Sequence, residues 1–235
     1  MAIPKMIIFD VGRTLVDYAS IDTLRGVKAF MPYITSNPRQ LNAEQIDEYT
    51  NEVFELFEAS RKQLFEVPEQ TILTLVYDLL GLRFSISLEE VERTIWSEDS
   101  VKVPSKNVAE LLDYLSKIGI RTAIISNIDF SGNLLRAMID ELFPNHQFEF
   151  IIASSDYGIR KPNPYIFEAG ITKSGLEAKD IWYVGDKISV DVEGSKRAGM
   201  IPVLYKCPRN KYPELPNDLL VIDDFLDLIR LIDKP

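Results

Sequence analysis

Five short, almost unbroken apolar runs recur along this chain: Met6–Phe9, Thr122–Ile125, Phe148–Ala153, Ile181–Val184 and Ile201–Tyr205. Each is too short for a helix and too uniformly apolar to face water on one side, so each reads as a strand buried on both faces. Helical patterns separate the later ones. Ser105 to Ile118 places Val108, Leu111, Leu112 and Leu115 at helical spacing and stops at Gly119, and Asp191 to Ala198 is a shorter helix closed by Gly199. Strands alternating with helices predict an α/β core whose parallel sheet is covered on both faces.

The alternation fails between the first and second runs. From about Ser20 to Glu98 no strand-like run occurs, and helix ends are clear. Asn42 with Gln45 has the form of a capping box, followed by Ile46, Tyr49, Val53, Phe57 and Leu64 along one face. Pro68 suits the first turn of a further helix, which Gly81 closes, and Ser87 with Glu90 forms another capping box. The pattern predicts an inserted, all-helical second domain over residues 18–98, with the α/β core made of residues 1–17 and 99–235. A chain of 235 residues, 46% hydrophobic, can fill both cores. No internal repeat and no low-complexity tract interrupts this organisation.

Several function classes are excluded early. The formal net charge of -10 repels nucleic acid and anionic membrane, so neither is an expected partner. No apolar run approaches the roughly 20 residues that span a bilayer, and the start MAIPKMIIFD is too short an apolar run for a signal peptide. One cysteine, Cys207, and one histidine, His146, leave no disulfide framework, no Cys/His zinc site and no Cys–His catalytic pair. Cys207 reads as a structural residue and His146 as a solvated loop residue. The expectation is a cytoplasmic protein, monomer or homodimer, acting on a small molecule.

In a parallel sheet all strand carboxyl ends lie along one edge, where ligands bind. Here Met6–Phe9 ends in Asp10, Thr122–Ile125 in Ser126 and Asn127, and Ile181–Val184 in Gly185 and Asp186, with Asp191 five residues on. Any one of these residues alone reads more readily as a helix cap. Together they deliver carboxylates, a hydroxyl and an amide to one crevice. Clustered carboxylates need a counter-charge, and with no histidine or cysteine ligands the oxygen donors point to Mg²⁺. The remaining positive charge is supplied by Gly158-Ile159-Arg160-Lys161-Pro162, where Pro162 and the Asn163-Pro164 helix start fix Lys161 in place. With Mg²⁺ and Lys161 balancing Asp10, Asp186 and Asp191, an anionic substrate is acceptable despite the acidic surface.

The segments IIFDVGRTLVD, AIISN, GIRKPNPYIF and YVGDKISVDVEGSKRAG, in that order, resemble the four motifs of the haloacid dehalogenase-like hydrolase superfamily. The helical insertion sits where that family places its cap domain, on a Rossmann-like core. The resemblance implies that Asp10 is a nucleophile forming a covalent aspartyl intermediate. It implies that Ser126 and Lys161 (with Asn127 beside them) bind and stabilise the transferred group. It further implies that Asp10, the main-chain carbonyl of Gly12, Asp186 and Asp191 surround magnesium, and that the cap closes over the crevice and selects the substrate.

One position departs from the pattern. Family phosphatases carry a second aspartate two residues after the nucleophile to protonate the leaving group; here that residue is Gly12, followed by Arg13, which cannot release a proton. Three readings are open. The first is a Mg²⁺-dependent phosphatase-type hydrolase acting on good leaving groups such as acyl or aryl phosphates, or recruiting a carboxylate such as Asp17 or Asp129. The second is carbon–halogen or phosphonate cleavage, against which stand the retained Gly185, Asp186 and Asp191 and the absence of a recognisable cap lysine context around Lys28 or Lys62. The third is a catalytically silent ligand- or protein-binding domain. Arg13 is placed either at the crevice mouth or on the surface. Trp96, Tyr49, Phe54 and Phe57 serve either the crevice lining or the core.

Overall fold

The computed structural model describes residues 3–233. Its centre is a six-stranded, all-parallel sheet built from β1 (Met6–Phe9), β6 (Arg121–Ser126), β7 (Phe148–Ala153), β8 (Ile181–Gly185), β9 (Ile201–Tyr205) and β10 (Leu220–Ile222). The strand order is β10-β9-β8-β1-β6-β7. β1 pairs with β6 on one side, Phe9 opposite Ile124, and with β8 on the other, Phe9 opposite Val184. This puts the chain reversal of the sheet, and therefore the ligand-binding edge, directly beyond Phe9. Every β1 residue is buried, as its unbroken apolar run requires.

Both faces are covered. Ile7, Phe9, Val184 and Trp182 pack beneath α6 (Val108–Ile118), α7 (Gly132–Leu142) and α11 (Phe225–Ile232). Met6, Ile8, Ile125 and Tyr183 pack on the other face against α9 (Pro164–Ser174). Gly119, Gly158 and Gly175 end α6, the short α8 (Ser154–Tyr157) and α9 in the left-handed conformation. The segment after Asp186 is less regular than a simple helix: a wide turn over Ile188–Val192 precedes α10 (Glu193–Arg197), so Asp191 lies in the turn, not in the helix.

Between β1 and β6 the chain builds α1 (Thr23–Phe30), α2 (Ala43–Leu56), α3 (Glu58–Lys62), α4 (Glu69–Leu80) and α5 (Leu88–Glu98). They surround a second apolar core of Val27, Phe30, Ile46, Ile72, Val76 and Val91, among others. Both predicted capping boxes form, Asn42 with Gln45 and Ser87 with Glu90. Gly81 closes α4 at φ 73°, and Pro68 sits one residue before α4 as its cap.

Two departures from a purely helical insertion occur. β3 (Ile34–Ser36) pairs antiparallel with β4 (Arg83–Phe84), a ribbon too short to leave a period in the sequence. β2 (Val16–Ile21) pairs antiparallel with β5 (Ser100–Pro104), so the chain enters and leaves the helical region through one two-stranded ladder, and residue 18 lies inside a strand. His146 also differs from expectation. It is partly buried and held in place: its ring accepts from the Phe148 amide at 3.1 Å, lies 2.8 Å from an Asp140 carboxylate oxygen and packs 4.9 Å from the Phe148 ring. Cys207 is buried, as a structural role requires. Among the described residues no helix is long and apolar enough to cross a membrane.

Candidate active site

At the carboxyl edge of the sheet the polar ends of three strands meet. Asp10 follows β1 and its amide donates to the Val184 carbonyl at 2.9 Å, which extends the β1–β8 ladder by one bond and fixes the direction of the carboxylate. Asp186 follows β8. Asp191 comes back from the wide turn, its Oδ2 accepting from the Lys187 amide at 3.0 Å. This return is possible only because position 185 is glycine: a Cβ there would stand 2.4 Å from the Asp191 carboxyl carbon. Carboxylate oxygens of Asp10, Asp186 and Asp191 all lie within 4.8 Å of one another, and all three residues are buried.

Lys161 reaches the same point from the loop before α9. Its ammonium donates to Asp10 Oδ1 at 2.7 Å, to Asp191 Oδ1 at 2.7 Å and to the Tyr183 hydroxyl at 2.8 Å, which uses all three of its N–H donors. Burial opposes the lysine's charge, but Asp10 and Asp191 outweigh it and hold the group well above its ordinary range. Asn127 locks the lysine's backbone: the Lys161 amide donates to Asn127 Oδ1 at 2.7 Å, and Asn127 Nδ2 donates to the Lys161 carbonyl at 2.9 Å. One Nδ2 proton of Asn127 remains for another acceptor. Ser126 ends β6 buried, and among the described residues its hydroxyl has no hydrogen-bond partner.

One lysine cannot balance three carboxylates. Burial, then the fields of Asp10 and Asp191, push the Asp186 carboxyl up to about 6. Asp186 Oδ2 accepts from Asn210 Nδ2 at 2.5 Å, whereas its Oδ1 is buried with no partner. An orphaned carboxylate oxygen is costly, and here it belongs to a cluster of oxygen donors with net charge near -2. That donor set fits a hard divalent cation such as magnesium. A cavity of about 50 Å³ opens beside it, with Asp10, Gly12, Asn127, Lys161 and Asp191 in its walls.

Around this centre the structure separates the secondary candidates. Arg13 is exposed at φ 62° and its guanidinium donates to Asn210 at 3.3 Å, on the rim. Asp17 pairs with Arg209 at 3.3 Å, and Asp129 with Arg61 at 3.1 Å. Trp96 packs against Phe130 at 4.8 Å between ring centres, and Tyr49, Phe54 and Phe57 pack on the helical core. Two residues of the site escape sequence reasoning: Tyr183, whose ring alternates with apolar neighbours along β8, and Asn210, in a polar stretch far from any strand end.

The geometry has counterparts. The model of the haloacid dehalogenase-like hydrolase family matches residues 4–199. The chain belongs to this family. A glyceraldehyde 3-phosphate phosphatase of Methanothermobacter thermautotrophicus is 25% identical over 236 residues, covering 97% of this hydrolase and 99% of that protein. The enzyme of the same name from Methanopyrus kandleri is 33% identical over 99 residues, which is 38% of this chain and 42% of that one; here the match spans less than half of the relative. Among solved structures, a haloacid dehalogenase-superfamily hydrolase from Ehrlichia chaffeensis aligns with a TM-score of 0.57 at 27% identity, covering 99% of this hydrolase and 97% of that chain.

Proposed function

We propose that this hydrolase is a magnesium-dependent phosphatase of a small phosphorylated metabolite, with Asp10 as nucleophile and with a cap formed by about residues 18–98. The observation that carries the reading is the meeting of Asp10, Asp186 and Asp191 within 4.8 Å around an orphaned Asp186 oxygen, with Lys161 bridging two of them. The relatives named as phosphatases of three-carbon phosphates support it.

In this reading Asp10 Oδ2, which faces the Thr14 hydroxyl at 3.4 Å, attacks the phosphorus while Oδ1 stays on Lys161. Lys161 keeps the attacking carboxylate ionised and oriented, and its charge faces the incoming phosphoryl oxygens. The Ser126 hydroxyl and the free Nδ2 proton of Asn127 donate to those oxygens. Asp10, the Gly12 carbonyl, Asp186 and Asp191 would hold magnesium, which supplies charge neutralisation between nucleophile and phosphate. The helical cap and its ladder would cover the crevice and limit solvent there to the water that hydrolyses the intermediate.

Without a carboxylate at position 12, substrates whose leaving group departs readily, acyl or aryl phosphates, are favoured over alkyl monoesters. Retention of Gly185, Asp186 and Asp191 disfavours halide chemistry. The test is phosphate release from para-nitrophenyl phosphate and acetyl phosphate, with and without Mg²⁺, in the wild type and in Asp10→Asn. The expected result is Mg²⁺-dependent release that falls at least about 10⁴-fold in Asp10→Asn. No Asp10-dependent release, with a phosphorylated ligand still raising Tm, would replace the enzyme with a binding domain.

A further inference from the structure

Position 12 is glycine, yet the space above it is filled. The turn after β1 is closed by three bonds, from Thr14 and Val16 amides to the Val11 carbonyl and from the Arg13 amide to the Val16 carbonyl at 2.7 Å. It folds β2 back over the site so that the Tyr18 ring lies on Gly12. A Cβ built at position 12 would meet Tyr18 Cε2 at 3.3 Å and the Tyr18 hydroxyl oxygen at 4.0 Å. The ring therefore occupies the volume into which a side chain at position 12 would grow.

The strand that carries it is held from both sides. Tyr18 pairs with Lys102 of β5, its carbonyl accepts from Arg209 at 2.9 Å, and the neighbouring Asp17 is paired to the same arginine. The hydroxyl itself has no hydrogen-bond partner among the described residues. Of the groups nearby, Lys161 is committed to three acceptors, Asp129 to Arg61, Asp17 to Arg209 and Arg13 to the rim; Ser126 and Asn127 are assigned to the transferred phosphoryl oxygens, and Lys187 stands in the wall of the cavity.

We propose that the Tyr18 hydroxyl stands in for the missing acid at position 12 by donating a hydrogen bond to the leaving-group oxygen, and that it thereby sets the substrate class to phosphates whose leaving group departs as an anion. The inference rests on the reading of Asp10 as a phosphoryl acceptor. In the first step an Asp10 oxygen bonds to phosphorus as the bond from phosphorus to the leaving oxygen breaks. The electron pair departs on that oxygen, which the phenol O–H stabilises until solvent protonates it. In the second step water attacks the aspartyl phosphate, the Asp10 carboxylate is regenerated, and both water protons remain on the phosphate product, so no base is required to balance it.

A phenol keeps its proton at neutral pH, so the Tyr18 hydroxyl is a donor there. A donor that cannot deliver its proton helps a weakly basic leaving oxygen enough, and a strongly basic alkoxide too little.

The test compares wild type and Tyr18→Phe, with Mg²⁺, on a series of aryl phosphates from para-nitrophenyl to unsubstituted phenyl phosphate. The loss in kcat/KM should stay within about 3-fold for para-nitrophenyl phosphate and rise to about 10²-fold for phenyl phosphate. An equal loss across the series, or none at phenyl phosphate, overturns the role of Tyr18 while leaving Asp10-dependent turnover intact; turnover that survives Asp10→Asn instead overturns the nucleophile reading and this one with it. A second comparison asks who owns the space. Gly12→Asp, crowded by the ring, should gain little on phenyl phosphate, whereas Gly12→Asp with Tyr18→Ala should gain about 10-fold or more. Equal gains in both would show that the ring does not hold the acid's place.

Discussion

Two clusters of buried and partly buried carboxylates occur in this hydrolase, and they are compensated by different means. At the sheet edge, Asp10, Asp186 and Asp191 have one buried cation, Lys161, a solvent-exposed Lys187 beside them, and an oxygen without a partner. Where the helices meet the core, Glu66, Glu69, Glu92 and Asp129 lie near Arg61 and Arg160. Glu66 accepts from the Ser154 hydroxyl at 2.6 Å, and Glu92 from the Gln70 side chain at 2.7 Å and the Ser131 amide at 2.8 Å. The excess charge there is removed by a proton: burial, then Asp129 and Glu92, push Glu69 up to about 8. One cluster keeps an excess of charge and an unpartnered oxygen, and the other sheds its excess as a proton. A negative cluster thus signals a metal site only when its donors are left over after arginines, amides and protons have been counted.

This contrast can be broken at its strongest point first. Lys161→Met removes the buried cation that bridges Asp10 and Asp191 and should cost roughly 3–5 kcal/mol in denaturant unfolding without metal, the scale for breaking a buried ion pair. Arg61→Met, in the cluster that can take up protons, should cost less; an equal or larger loss there would erase the distinction. Next in size is a pH effect. The folded-state carboxyl of Glu69 titrates near 8 against an ordinary value of 4.5, so between those limits the folded state holds a proton the unfolded chain has released. Stability from this group is full below about pH 4.5 and declines through pH 8, by at most about 5 kcal/mol. Glu69→Gln should abolish that slope in urea titrations at pH 5 and pH 8.5.

Smaller shifts sharpen the metal side. Mg²⁺ at 100 times its Kd should stabilise the wild type by about 2.7 kcal/mol, and Asp186→Asn should lose most of this gain in the same thermal melts. No stabilisation of the wild type by Mg²⁺ would leave the first cluster without its external cation. Finally, Asn210→Ala frees Asp186 Oδ2 and should weaken Mg²⁺ binding about 10- to 100-fold by titration calorimetry, as for other residues that orient a metal ligand. Unchanged affinity would mean that the 2.5 Å bond does not direct the carboxylate.

Much of the molecule is legible in its sequence, for reasons that differ by element. β1, β7 and β9 begin and end where their apolar runs do; in β1 burial on both faces leaves no room for a polar residue, whereas β7, at the sheet edge, is only partly buried and carries the exposed Glu149 within its run. The capping boxes at Asn42 and Ser87 are local chemistry within four residues and need no tertiary information. Asp10, Lys161, Asp186 and Asp191 converge because a parallel sheet places its strand ends together. Tyr183 is hidden because a phenol on a buried strand looks like core until its hydroxyl is seen on Lys161. Asn210 is 24 residues from Asp186 and lies in no element. The β3–β4 ribbon has too few residues for alternation to register, and the β2–β5 ladder joins segments about 80 residues apart, a distance over which periodicity carries no pairing information.

The loop before α9 also joins the helical region directly. The Arg160 amide donates to the Leu64 carbonyl at 3.0 Å, the Glu66 amide to the Gly158 carbonyl at 3.0 Å, and Phe65 pairs across to Ile159. This seam ends one residue before Lys161. The backbone that aims the ammonium at Asp10 is therefore the same backbone that fastens the helices down. Loosening that seam loosens the backbone on which Lys161 stands, so the seating of the helices and the aim of the ammonium rise and fall together.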